Sequence, residues 1–301
     1  MDVQFSWTGA TGNGATATVD TATAGSKVVT VACGTSSKTV TVNVLKVSVV
    51  PDNVFVDYPN PLTLTATVTP GEVTGATYKW FVLRNGIVQP DPGNTSTVTF
   101  TEPGRYFGAV TYQTKDGNVD SNIVDDTIRP TVGLSVDPAP PNPTPQIILV
   151  GETATMTATG NPAGAGGIYT WTGATTSTEN HATFTGNAAG SYPITVIYKL
   201  NEVESVAATV TITVKALTVA ITSATPQPAL VGEIVTLTAV GDPSGGEYIW
   251  TNADGNSNTA TVTSAYKGGI VVSVTYSLRG QYATAQILLV FECPATIKMP
   301  A

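Results

Sequence analysis

The chain has 301 residues, 42% hydrophobic and only 11% charged, with a formal net charge of -8 and a pI near 4.5. An acidic chain of this kind has no basic patch to neutralise phosphates, which argues against nucleic acid as a partner; evenly spread apolar residues argue against disorder, and no run of 18 apolar residues is present to cross a membrane. A single His and two Cys leave little material for metal or nucleophile chemistry, while Thr at about 17%, with 29 Gly and 20 Pro, favours strands and turns over helices.

The first element is Phe5-Ser6-Trp7, and its aromatic-x-Trp pattern returns at Tyr78-Lys79-Trp80, Tyr169-Thr170-Trp171 and Tyr248-Ile249-Trp250. The Trp residues are spaced by 73, 91 and 79 residues, the size of a small β-sandwich, so the chain reads as four tandem repeats. A second marker trails each Trp by 26 to 32 residues. It is Val-x-Tyr ending at Tyr112, Tyr198 and Tyr276, and in the first repeat the aromatic place is taken by Cys33. Leu149-Val150-Gly151-Glu152 and Leu230-Val231-Gly232-Glu233 each precede a strand of period-two alternation that closes on Gly-Asx-Pro. In the second repeat Pro61 to Gly71 fills that place.

One repeat therefore reads as an opening strand (Leu217 to Ile221 in the fourth), a Pro-rich bend, an alternating strand and the Trp strand. A short Thr/Val strand, the Tyr strand and a closing strand (Ala207 to Val214 in the third, Ala283 to Phe291 in the fourth) follow. The boundaries that result are 1–45, 46–130, 131–214 and 215–292, with a tail over 293–301. Lys46 to Val50 opens the second repeat and Val132 to Val136 the third, whose Pro-rich bend runs from Asp137 to Pro145. Joints of one or two residues predict a semi-rigid rod.

A buried Trp on the third strand fits an immunoglobulin-like sandwich, and Trp7, Trp80, Trp171 and Trp250 are the expected core anchors. The repeats resemble bacterial Ig-like and PKD-type modules, which occur in tandem on surface proteins and in tailed-phage virion proteins. The resemblance implies an all-β fold of tandem Ig-like sandwiches, an extracellular, cell-surface or virion location, and a non-enzymatic role in structure or adhesion. Two features depart from it. The PKD pattern continues from Trp into a Gly-Asp-Gly-type turn, whereas the followers here are Phe81-Val82-Leu83, Thr172-Gly173-Ala174 and Thr251-Asn252-Ala253. The antibody-type Cys pair is also absent within every repeat.

Only six residues precede Trp7, whereas Trp250 stands 33 positions after Leu217, so the first repeat is expected to lack its first two strands. Three readings are open: a fragment of a longer chain, a strand donated by a partner or second copy, or a reduced sandwich. In antibody-type domains the strand corresponding to that of Cys33 carries half of the inter-sheet disulfide, and its partner strand is one of the two missing. Cys293 begins a nine-residue tail long enough for one strand. One reading has that tail add to the first repeat of the next copy, head to tail, with Cys293 bonding Cys33. The other has Cys33 as a small core residue and Cys293 as incidental. No secretory leader follows Met1, which suits a virion protein if Met1 is the start; a trimmed piece suits a bacterial or archaeal surface protein equally.

Catalytic chemistry finds few candidates. His181 stands alone and reads as a turn residue, and no nucleophile elbow or phosphate loop occurs. No cofactor is expected. Asp116, Asn118 and Asp120 space oxygen ligands at alternate positions, a weak calcium signal, because Gly117 sits second rather than sixth and Asp116-Gly117 is also a hairpin turn. Asn252 to Asn258 is a weaker one of the same kind. Tyr58, Tyr106, Phe107, Tyr192, Tyr266 and Tyr282 are candidates for stacking on a surface glycan if they are exposed.

Overall fold

The computed structural model describes residues 4–137 and 146–294, so most of the Pro-rich bend of the third repeat and residues 295–301 of the tail lie outside the described residues. Every helix or strand among the described residues is a β-strand, and no sheet mixes strands from two repeats. The chain is an all-β array of immunoglobulin-like sandwiches, and among the described residues its first repeat forms only one of the two main sheets.

The fourth repeat shows the plan. Its opening strand Thr218–Ser223, alternating strand Val235–Asp242 and short strand Thr259–Val262 form one sheet. The bend strand Ala229–Leu230, closing strand Gln281–Glu292, Tyr strand Gly268–Leu278 and Trp strand Glu247–Thr251 form the other, in that order. Period-two alternation points Val235, Leu237, Ala239, Val272, Val274, Leu289 and Phe291 inward, all fully buried in one core. The bend strand is parallel to the closing strand, with Ala229 opposite Phe291, so the first part of the chain switches sheets at the bend.

The second repeat repeats this order. Lys46–Val50, Leu62–Thr69 and Thr97–Phe100 form one sheet, while Phe55–Asp57, Val124–Arg129, Gly104–Thr114 and Thr77–Arg84 form the other, extended by Ile87–Val88. In the third, Thr131–Asp137, Thr153–Asn161 and His181–Thr185 are joined at the edge by Thr176–Thr178, and Gln146–Leu149, Ala208–Lys215, Gly190–Leu200 and Ile168–Thr172 form the other sheet. Observed strand ends differ from the sequence expectation by a residue or two, as at Thr218–Ser223 and Ala208–Lys215. By backbone proximity the chain forms two compact units. One holds Met1–Leu134, Ala158–Thr172 and Thr195–Ala208, and the other holds Ser135–Thr157, Gly173–Ile194 and Thr209–Ala301.

Two sequence markers acquire physical reasons. In Leu-Val-Gly-Glu the glycines have φ of 88° at both Gly151 and Gly232, a conformation that disfavours any side chain. The Glu folds back on its own turn: Leu149 N donates to Glu152 Oε2 at 2.6 Å and Leu230 N to Glu233 Oε2 at 2.9 Å. The tyrosines clamp the turn between the alternating and Trp strands. Tyr276 OH donates to Pro243 O at 2.6 Å and accepts from Gly246 N at 2.8 Å, while Tyr248 OH accepts from Gly241 N at 3.0 Å. The two rings pack with centroids 4.7 Å apart. A Cβ on Gly241 would lie 2.4 Å from the Tyr276 ring, which is why Gly-Asx-Pro begins with Gly. Tyr169 with Tyr198 and Tyr78 with Tyr112 pack in the same way, at 4.9 Å each.

Replacing Tyr276 by Phe keeps the ring contact and removes both hydrogen bonds, leaving Gly246 N without its acceptor. The expected cost is about 1–3 kcal/mol of local stability. Hydrogen exchange of the Gly246 amide measures it, and an unchanged rate would refute the clamp.

Candidate functional site

The first repeat holds one three-stranded sheet, Phe5–Thr8 with Gly25–Cys33 with Ser36–Val44, and a two-stranded ribbon of Thr11–Gly12 and Ala17–Thr18. Its register matches the complete repeats row by row. Phe5 pairs with Cys33 and Trp7 with Val31, as Tyr248 pairs with Tyr276 and Trp250 with Val274. Cys33 thus stands on the row of the clamping tyrosine, and the clamp is missing here. No opening, bend or alternating strand belongs to this repeat among the described residues.

Its inner face is consequently uncovered. Val29 is buried, but Trp7, Val31 and Cys33 are half-buried and Phe5 and Val40 are exposed, Val40 by 55%. The corresponding fourth-repeat residues Val272, Val274 and Tyr276 are fully buried. Leaving a Val or Phe outside forgoes roughly 1.5–3 kcal/mol apiece. The outer edge of Ser36–Val44, whose counterpart in the fourth repeat pairs with the bend strand, is unpaired among the described strands. An apolar face beside a free edge can accept a further strand.

The four Trp residues occupy equivalent rows with unequal burial. Trp80 and Trp250 are buried, whereas Trp7 and Trp171 are half-buried. Three indoles donate to a carbonyl of the following loop: Trp7 to Gly14 O, Trp80 to Thr95 O and Trp250 to Ser257 O, at 2.7 to 2.9 Å. Cys33 and Cys293 are both free thiols, Cys293 exposed.

The calcium candidates sit on a hairpin. Both carboxylate oxygens of Asp116 are held by Lys115 Nζ at 2.8 Å, and Asp120 Oδ1 accepts from Thr111 Oγ1 at 2.7 Å. Among the described residues, no three of His, Cys, Asp and Glu converge to hold a metal ion. His181 Nδ1 lies 3.1 Å from Thr157 Oγ1 at an exposed position. Of the aromatic candidates, Tyr266 and Tyr282 are exposed, by 82% and 72%. Tyr58, Phe107 and Tyr192 are half-buried, and Arg105 lies 4.6 Å over the Phe107 ring. Tyr106 is buried and donates to Glu102 O at 2.6 Å; its parity with Val110 and Tyr112 points it inward.

An open groove of about 530 Å³ in the first unit is lined by Phe55, Arg105, Asp125, Arg129, Glu202 and Glu204. Its cations are already matched: Arg105 grips Asp125 through two nitrogens, and Arg129 Nε meets Asp57 Oδ1 at 3.0 Å. The Arg105 pair holds the Asp125 carboxyl below its ordinary range.

The neighbouring Asp126 shares the parity of Val124 and Ile128, which places it inside. It is fully buried, with Oδ1 accepting from Val54 N at 2.9 Å and Oδ2 without a hydrogen-bond partner. Burial pushes this carboxyl up from its ordinary 3.8, and the charges of Asp52 and Asp125 add to the shift. A raised carboxyl favours the folded state only while protonated, so stability falls as pH climbs from 3.8 through the raised value. Asp126→Asn keeps the acceptor for Val54 N and removes the buried charge. It is expected to raise the melting temperature of the full chain at pH 8 and to flatten its fall with pH; a variant melting lower at pH 8 would refute this account.

No family model matches the sequence, and no curated protein does either. Solved structures do match. The mouse nectin-like molecule 4 ectodomain (Ig1–Ig3) is 11% identical, with 83% of this chain and 100% of that one covered and a TM-score of 0.39. The Clostridium thermocellum CbhA fibronectin(III)-like modules are 17% identical over 56% and 94%, at 0.22. Bacteroides ovatus SGBP-B, solved with a mixed-linkage heptasaccharide, is 12% identical over 82% and 71%, at 0.24. With all three scores under 0.5, the fold rests on the strand order and register described above: the chain is a tandem array of immunoglobulin-like β-sandwiches.

Proposed function

We propose that this chain is a non-enzymatic structural subunit of a surface filament or virion, in which tandem Ig-like sandwiches space and display and the first repeat receives a strand from another copy. The observation that carries the reading is the uncovered inner face of the first repeat, with Phe5 and Val40 exposed beside a free strand edge. The donor is the tail that begins at Cys293, of which residues 295–301 lie outside the described residues. A strand donated onto this face brings Cys293 of one copy toward Cys33 of the next. A head-to-tail contact that does not close on itself builds a filament.

An adhesion module on a cell or virion surface, gripping a glycan or receptor, is the second reading. Exposure of Tyr266 and Tyr282 favours it, since an aromatic ring presented to solvent stacks on a sugar face.

Light scattering of the unreduced 301-residue chain separates the two. A ladder of masses that shortens when residues 295–301 are deleted, and that collapses with reductant or with Cys33→Ser if the thiols pair, is the expected result. A clean monomer near 31 kDa at high concentration would refute self-assembly. Loss of retention on glycan-coated beads on Tyr282→Ala, with the mass unaltered, would favour adhesion.

A further inference from the structure

We infer that the Leu149-Val150-Gly151-Glu152 turn is a socket for the hairpin turn between the Tyr and closing strands of the fourth repeat, and that this coupling holds the joint between them in one orientation. The inference is independent of strand donation to the first repeat. Both sides of the contact lie in the compact unit that holds Ser135–Thr157 and Thr209–Ala301.

The joint itself is short. Strand Ala208–Lys215 ends at Lys215 and strand Thr218–Ser223 opens the next repeat, so Ala216 and Leu217 alone link the two. Two residues carry four soft backbone dihedrals, enough to swivel unless contacts away from the link restrain them. The structure supplies such contacts at two places. On the socket, Gln281 Nε2 donates to Val150 O at 2.9 Å, across 131 residues of chain, and Arg279 Nη1 meets Glu152 Oε2 at 3.1 Å. Beside the link, Lys215 Nζ donates to Asp242 Oδ1 at 2.8 Å, in the Gly-Asx-Pro turn of the fourth repeat.

Surface ion pairs ordinarily contribute little, because two long side chains must be ordered to make them. Here the partners are ordered beforehand. Glu152 Oε2 already accepts from Leu149 N at 2.6 Å, and its side chain is only 23% exposed. Val150 N donates to Lys215 O at 3.0 Å, which ties the socket to the last residue before the link. The incoming hairpin turns on two residues, Arg279 with φ of 51° and Gly280 with φ of 79°, the tight left-handed kind that matches the twist of its strands.

The fourth repeat supplies the internal contrast. Its Leu230-Val231-Gly232-Glu233 turn repeats the same local bonds: Val231 N donates to Glu292 O, Glu233 N to Leu230 O and Leu230 N to Glu233 Oε2, each at 2.9 Å. Glu233 is exposed, and among the described residues no guanidinium or side-chain amide reaches it. The glutamate therefore serves its own turn in both repeats and grips a following hairpin in one. Local turn chemistry and coupling are separable roles of the same residue.

Double electron–electron resonance on the full chain tests the coupling. Spin labels on Ser177→Cys and Thr284→Cys, exposed positions of the third and fourth repeats, are read in a Cys33→Ser, Cys293→Ser background. One narrow distance peak is expected. Arg279→Asn, which tolerates the left-handed turn, combined with Gln281→Ser is expected to raise the undocked population about tenfold and broaden the distribution. Glu152→Gln keeps an acceptor for Leu149 N and loses the ion pair, so it broadens the peak without touching the hairpin, whereas Glu233→Gln leaves it unchanged. Salt at about 1 M, where the screening length falls to about 3 Å, acts in the same direction as Glu152→Gln. A distribution that stays narrow in the hairpin variant, or one equally broad before any substitution, would overturn the inference. So would equal effects of Glu152→Gln and Glu233→Gln, since the glutamate would then act through its own turn alone.

Discussion

A sheet with one apolar face cannot stand in water alone, and everything else in this chain follows from how each repeat covers that face. In the fourth repeat the mate is the sheet built from the opening, alternating and short strands, and Val272, Val274, Leu289 and Phe291 disappear beneath it. The second repeat does the same around Trp80, Tyr106 and Tyr112. Among the described residues the first repeat keeps the apolar rows and shows no mating sheet, so its sheet is an open core with the register of a covered one. Its missing stabilisation is large against the roughly 5–15 kcal/mol of a whole domain.

The tyrosine pairs show how a sandwich is locked once it is covered. Each pair joins the Trp and Tyr strands through ring packing and reaches across with its hydroxyls to the turn that returns the alternating strand. The turn is thereby fixed by side chains rather than by its own backbone. In the first repeat Phe5 and Cys33 occupy those places with no hydroxyl between them. Among the described residues, this repeat has no alternating strand whose turn such a clamp would hold.

Much of this was legible before any coordinates. Aromatic-x-Trp and Val-x-Tyr are neighbours across one ladder, so their spacing marked the repeats. What escaped the reading were properties that need the register as well as the period. Tyr106 and Tyr282 look alike as letters, yet Tyr106 shares parity with Val110 and faces the core while Tyr282 sits on an outer row. Asp126 hides among Val124 and Ile128, where parity would have found it. Val271 and Leu288, 17 residues apart in the chain, become neighbours only when the Tyr and closing strands are aligned across their two-residue turn. Trp7 and Trp171 share the row of Trp80 and Trp250 but not their burial, because depth depends on what covers the row rather than on the row itself.

Threonine carries a further consequence. Paired hydroxyls face one another across strands at Thr30 and Thr39, Thr63 and Thr99, Thr153 and Thr185, and Thr176 and Thr183, 2.6 to 2.9 Å apart. Each pair satisfies a surface rung without a formal charge. Such rungs neither titrate nor attract counterions, so brine and acid leave them as they are. The same economy starves proteases that cut beside cations: 13 Lys and Arg in 301 residues leave long stretches of exterior with nothing for trypsin to read.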